Sequence, residues 1–135
     1  MPEQPKVPDA FRDLLDIMVA TLATNGSGGY PQVTAVAFFY DPEDELVKIS
    51  LNDTRQKTKN MRRDPHATLF LVDPANPYRT LEIRAEAALQ PDTDFAFAAR
   101  AGAKYGQDFR AHDLPGETRS IVTLHPRRIV ASDMS

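Results

Sequence analysis

The chain has 135 residues, 41% of them hydrophobic, no cysteine, and 16 Lys plus Arg against 19 Asp plus Glu, for a formal net charge of -3 at pH 7. That length suits a single domain, 1–135, burying roughly two thirds of its unfolded surface around one core. The missing thiols exclude disulfides, thiolate catalysis, zinc-thiolate sites and iron-sulfur clusters, and the mild acidity argues against a broad nucleic-acid or anionic-membrane surface. The polar, proline-rich start, 1–8, lacks an apolar signal core, and no run approaches the roughly 20 apolar residues that span a bilayer. The expectation is a soluble, cytoplasmic protein with no membrane or nucleic-acid partner.

Asp9 opens a short helical pattern in which Phe11, Leu14 and Leu15 form one apolar stripe. Residues 17–24 read as a first strand, and Asn25-Gly26-Ser27-Gly28-Gly29 supplies a hairpin loop. A second strand follows over 31–40, apolar on both faces, as in a central strand or one lined by a ligand. Residues 41–44 form a turn, and the third strand, 45–51, carries Val47, Ile49 and Leu51 on one face and Leu46, Lys48 and Ser50 on the other.

Past a basic segment, 67–72 is a continuous apolar run and 73–77 a proline-rich loop. From Tyr78 to Leu89 the pattern alternates: Leu81, Ile83, Ala85, Ala87 and Leu89 face a core, while Thr80, Glu82, Arg84 and Glu86 face solvent or another subunit. A second helix begins at Asp92, its expected cap, and stops at Gly106; 107–117 reads as loop. The closing strand runs over 119–124 and resumes after Pro126 through 129–131. Mostly antiparallel β with short helices predicts a small barrel, since closure removes exposed edges.

One stretch reads as a site. Arg55, Lys57, Lys59, Arg62 and Arg63 fall within nine residues, and without them 11 bases face 19 acids in the rest of the chain. Arg55, Lys59 and Arg62 are spaced to share a helix face, and Met61 is the only apolar residue there. Cations in a first helical turn oppose the macrodipole, at roughly 0.3–1 kcal/mol each when exposed, and a bound anion reverses that sign. A phosphate could take a guanidinium from Arg55, an ammonium from Lys57, a hydroxyl from Thr58 and free backbone N–H groups. The plainer alternative is that Asp53 caps the helix, Gln56 completes a capping box, and the bases solvate a surface.

The phrase Thr54-Arg55-Gln56-Lys57-Thr58-Lys59-Asn60-Met61-Arg62-Arg63-Asp64-Pro65, set between two strands, resembles the phosphate-binding segment of the pyridoxamine 5'-phosphate oxidase-like split-barrel flavoproteins. Within that family it is most similar to the branch using the deazaflavin coenzyme F420. Leu22-Ala23-Thr24, Pro31-Gln32-Val33, Phe39-Tyr40-Asp41-Pro42 and Leu81 to Ala87 follow in the same order, so the resemblance covers most of the chain. It implies a mainly β fold, a six-stranded antiparallel split β-barrel of the FMN-binding type, in a homodimer with cofactor sites at the interface.

It further implies that the cofactor phosphate lies on Arg55, Gln56, Lys57 and Thr58. The ring would rest near Gln32, Thr34, Val36, Ile49 and Ser50, with Tyr78 reaching in from the partner. The activity implied is hydride transfer between F420 and an unsaturated or carbonyl-containing small-molecule substrate. The alternatives are an FMN-binding oxidase or reductase of the same fold, or a non-enzymatic binder of F420, haem or another anionic ligand. No proton donor is assigned; Tyr40, Tyr78, Arg79 and solvent are all open. The chain has no tryptophan and little sequence after Leu124-His125-Pro126-Arg127-Arg128, so pyridoxamine phosphate oxidation itself is not expected.

Other motifs are weaker. His66, His112 and His125 lie far apart with no metal-ligand spacing, so no metal is expected. Ser27 lies in a hairpin rather than on a strand-to-helix elbow, which argues against a serine hydrolase. The glycines around it join two strands rather than opening a helix, which argues against a phosphate loop. Phe38, Phe39 and Tyr40 are core aromatics or a ring-stacking surface.

Overall fold

A computed structural model describes residues 4–135. A 3-10 helix, Asp9–Asp16, leads into β1 (Ala20–Asn25), β2 (Pro31–Val36), β3 (Phe39–Asp41) and β4 (Leu46–Asn52). Helix α1 (Gln56–Arg63), β5 (His66–Asp73), β6 (Asn76–Pro91), α2 (Ala96–Tyr105) and β7 (Arg119–Asp133) complete the order. All seven strands form one antiparallel sheet in the order β2-β1-β5-β6-β7-β4-β3.

The two outermost strands of that sheet, β2 and β3, are halves of one run, separated only by Ala37 and Phe38. The sheet must therefore curl until its ends meet, which is the predicted split barrel. Seven strands stand where six were expected because the run 31–40 breaks in the middle. Tyr105 from α2 occupies the break: its hydroxyl accepts from the Phe38 N–H at 2.9 Å and donates to the Phe38 carbonyl at 2.6 Å. Backbone groups that a continuous ladder would have paired are thus satisfied by a side chain.

Alternation fixes the faces. Ala20 and Leu22 of β1, Val47, Ile49 and Leu51 of β4, Leu69 and Leu71 of β5, Leu81 and Ile83 of β6, and Val122 and Leu124 of β7 point inward and form one cluster. Leu14 and Leu15 of the 3-10 helix plug one end of it. The closing strand β7 is continuous through Pro126, in place of the two pieces expected. Its register against β6 shifts between Arg84 and Ala85, so Arg127 is the extra residue of a bulge beside a proline that cannot donate to the ladder.

Asp92 serves α2 from a distance. The helix starts after Phe95, which holds a left-handed φ of 59°, and the Asp92 carboxylate accepts the N–H groups of Phe97 and Ala98 at 3.2 and 2.9 Å. Gly106 ends it at φ 64°, as its lack of a Cβ permits.

Candidate functional site

The basic segment becomes α1, although its start differs from the capping-box reading. Arg55, not Asp53, sits at the cap position, in an extended conformation and with no side-chain cap bond. The turn before it is shaped by Asn52, whose Oδ1 accepts from the Thr54 N–H at 2.8 Å and the Thr54 hydroxyl at 2.7 Å. Asp53 instead ties the segment to β7, accepting from the Ser120 hydroxyl at 2.6 Å and from Arg62 at 2.8 Å. Burial opposes the charge on Asp53, but the Ser120 and Thr118 hydroxyls and Arg62 outweigh it and hold its pKa low.

Burial supports α1 more than one apolar residue implies. Met61 enters the barrel core, and Asn60 is buried, its Nδ2 donating to the Thr24 hydroxyl and to Gln32 Oε1, both at 3.1 Å. Gln56 donates to Asn60 Oδ1 at 2.9 Å. Thr58 has no exposed surface and donates its hydroxyl to the Asn52 carbonyl at 3.0 Å. It faces the barrel and holds the turn.

The five cations are not equivalent. Arg62 is bound to Asp53 and Ser120, and Arg63 to the Asn25 carbonyl. Arg55 and Lys59 are exposed. Lys57 is half-buried, its ammonium donates only to the Thr34 hydroxyl, at 3.1 Å, and no carboxylate pairs with it among the described residues. Burial, and then the neighbouring Arg55, push the Lys57 pKa down.

Beside this rim opens a cavity of about 570 Å3, within the range that holds a cofactor-sized ligand. One wall is strand: Ala35 and Val36 of β2 and Ile49 and Ser50 of β4; Arg55 and Lys57 form the rim. The opposite wall is the segment 107–118, through Phe109, His112, Asp113, Leu114 and Glu117. Gln32 and Thr34 lie one step back, holding Asn60 and Lys57. Tyr78 is 63% exposed at the start of β6, while the cavity lies where the far end of β6 pairs with Ser120. Neither Tyr40, bonded to Arg12, nor Arg79, paired with Asp13 and Asp73, lines it.

The loop wall was invisible in the sequence. At its base Arg119, 8% exposed, donates to Asp113 at 2.7 and 3.0 Å and to the Ser50 hydroxyl at 3.1 Å. Asn52 Nδ2 donates to Asp113 at 3.0 Å and to Glu117 at 3.2 Å. Hydrogen bonding from Arg119 keeps the Asp113 pKa below the usual carboxylate value against the pull of burial. Arg119 was the available signal, a cation opening an otherwise apolar strand. Among the described residues no group of three or more His, Asp or Glu could hold a metal, and no helix is long and apolar enough to cross a membrane.

A family model described as pyridoxamine 5'-phosphate oxidase matches residues 7–132. An F420H(2)-dependent biliverdin reductase from Mycobacterium tuberculosis is 30% identical over 124 residues, covering 92% of this chain and 86% of that protein. A solved structure described as an F420 reductase superposes with a TM-score of 0.79 at 30% identity, covering 92% of this chain and 98% of its own. A NimC/NimA family protein from Clostridium acetobutylicum shares the fold, with a TM-score of 0.70 at 16% identity over 93% of this chain and 84% of its own.

Proposed function

Because the chain belongs to the pyridoxamine 5'-phosphate oxidase family, we propose that it is an oxidoreductase that uses coenzyme F420 to transfer a hydride to or from an unsaturated or carbonyl-containing organic substrate. The observation that carries this reading is Lys57. A half-buried ammonium, its pKa lowered by burial and by Arg55, is unfavourable until an anion arrives. The exposed Arg55 and the first N–H groups of α1 lie beside it, and both add to the attraction for a phosphate. The relatives named for F420 chemistry are 30% identical over nearly the whole chain.

In this arrangement Arg55 and Lys57 hold the phosphate, with Gln56 at the edge. Thr34 orients the Lys57 ammonium, while Thr58 and Asn60 fix the turn and the helix. Val36, Ile49 and Ser50 form the strand wall for the ring. When bound, the deazaflavin supplies the hydride chemistry; the protein supplies position and exclusion of water. Biliverdin, on which the mycobacterial relative acts by name, is the first substrate to assay.

The assembly proposed is a homodimer. Phe70 and Val130 lie on either side of Glu82 in register across β5, β6 and β7, on the outward face, with Val72 two residues along. Such a partly apolar stripe suits a second subunit, from which Tyr78 would reach the site. The setting proposed is the cytoplasm.

The test is coenzyme binding by an Arg55→Ala, Lys57→Ala double variant, followed by fluorescence. Each lost charge-assisted bond is worth about 1.5–3 kcal/mol, so affinity should fall by about a hundredfold or more with the melting temperature little changed. Unchanged affinity in a folded variant would sink the proposal.

A further inference from the structure

The loop wall of the cavity carries one acid that no cation pairs with among the described residues. Asp113 is answered by Arg119 and Asn52, so its charge is spent within the protein. Glu117 differs. Its Oε1 accepts from the Leu114 N–H at 2.7 Å and from Asn52 at 3.2 Å, two donors that fix the carboxylate in place. Its Oε2 has no partner among the described residues, and Glu117 forms no ion pair there. Since no unpartnered side-chain oxygen is buried, that Oε2 is open to solvent on a residue that lines the cavity.

Phe109, His112 and Leu114 line the same cavity, and its other acid, Asp113, is paired with Arg119. The cavity lining therefore includes cations with no carboxylate partner, Arg55 and Lys57, and one pre-positioned carboxylate with no cationic partner among the described residues, Glu117. A carboxylate without a proton only accepts hydrogen bonds, and it repels an anionic group placed against it.

We propose that Glu117 is the substrate-selecting residue of this site, and that it accepts a hydrogen bond from an N–H or O–H group on the end of a planar substrate that lies against the loop wall. This rests on the reading that the rim and strand wall take the cofactor, which leaves the loop wall to face the substrate. Selection works in both directions. A ring bearing a donor gains a charge-assisted bond, and a substrate presenting a carboxylate or sulfonate at that end is turned away.

The experiment uses the full chain with saturating inorganic phosphate, which covers the rim cations, and reads fluorescence titrations of two planar probes. Proflavine is cationic and carries ring amines; 8-anilinonaphthalene-1-sulfonate is anionic. Glu117→Gln keeps the Oε1 acceptor for Leu114 and Asn52 while replacing the charged Oε2 acceptor with a neutral amide donor, so the wall should stay formed. Proflavine affinity should fall roughly tenfold or more, the sulfonate should bind equally or more tightly, and Glu117→Asp should recover part of the proflavine affinity. Proflavine binding indifferent to the Glu117→Gln change overturns the proposal.

A parallel titration with F420 separates the two ends of the cavity. Its affinity should stay within about twofold in Glu117→Gln, and a tenfold loss would overturn the assignment of Glu117 to the substrate. Failure at Arg55 and Lys57 with success at Glu117 would leave the loop wall intact as a binding surface and remove only the cofactor.

Discussion

At the scale of single residues, the chain separates charges that are spent from charges that are held ready. Asp41 belongs to the first kind. It is almost wholly buried, accepts from Lys48 at 2.9 Å and from the Glu43 N–H at 3.0 Å, and its pKa is held down chiefly by Lys48. A depressed carboxylate stabilises the fold above its unfolded pKa, and that contribution fades as pH falls through the folded value. Asp41→Asn should therefore cost about 1–3 kcal/mol at neutral pH, read from the denaturation midpoint, and the gap from wild type should narrow in acid. Asp64 follows the same sign, lowered to about 2 by Asn25 first and then by the His66 N–H, so its contribution is lost between about pH 4 and pH 2. Lys57 is of the second kind. Its only partner among the described residues is the neutral Thr34 hydroxyl, and no carboxylate offsets its burial, which is the ground for proposing it as an anion ligand.

At the scale of elements, strand periodicity and helix stops were legible, and connections were not. The inward sets of β4 and β6 follow directly from alternation, and Gly106 ends α2 where the sequence places the stop. The break at Ala37 and Phe38 was hidden because both residues are apolar and suit a strand; the distant Tyr105 hydroxyl and Lys104 ammonium take the Phe38 backbone groups there. Tyr105→Phe should cost about 1–2 kcal/mol, since the Phe38 N–H loses its acceptor and the Phe38 carbonyl keeps only the Lys104 ammonium, at 3.0 Å. Thermal melting checks this, and an unchanged midpoint would show that water replaces the hydroxyl without loss. The segment 107–118 has no period at all. Its place over the cavity is set by Arg119 and Asn52, contacts between residues up to 65 positions apart that no local pattern encodes. The basic turn was legible as a charge cluster, yet which of its cations are free depends on Asp53 and the Asn25 carbonyl. Arg62 and Arg63 are engaged there, while Arg55 and Lys57 face the cavity.

At the scale of the whole molecule, one curled sheet places the two halves of a single apolar run at its opposite edges and lays α1 across β1 and β2. The strand wall of the cavity thus belongs to the sheet, and the loop wall is held over it by the Arg119 and Asn52 side chains and by the Asp53 N–H donating to the Thr118 carbonyl at 2.9 Å. The outward stripe of Phe70, Val72 and Val130 predicts a dimer: sedimentation equilibrium should return twice the 15.0 kDa chain mass, and Phe70→Glu should shift it toward the monomer. A monomeric wild type would contradict that assembly. FMN and F420 would each offer the Arg55–Lys57 rim a phosphate group. Side-by-side titration of the purified chain with F420 and with FMN should give at least tenfold tighter binding of F420; equal or tighter binding of FMN would contradict the account.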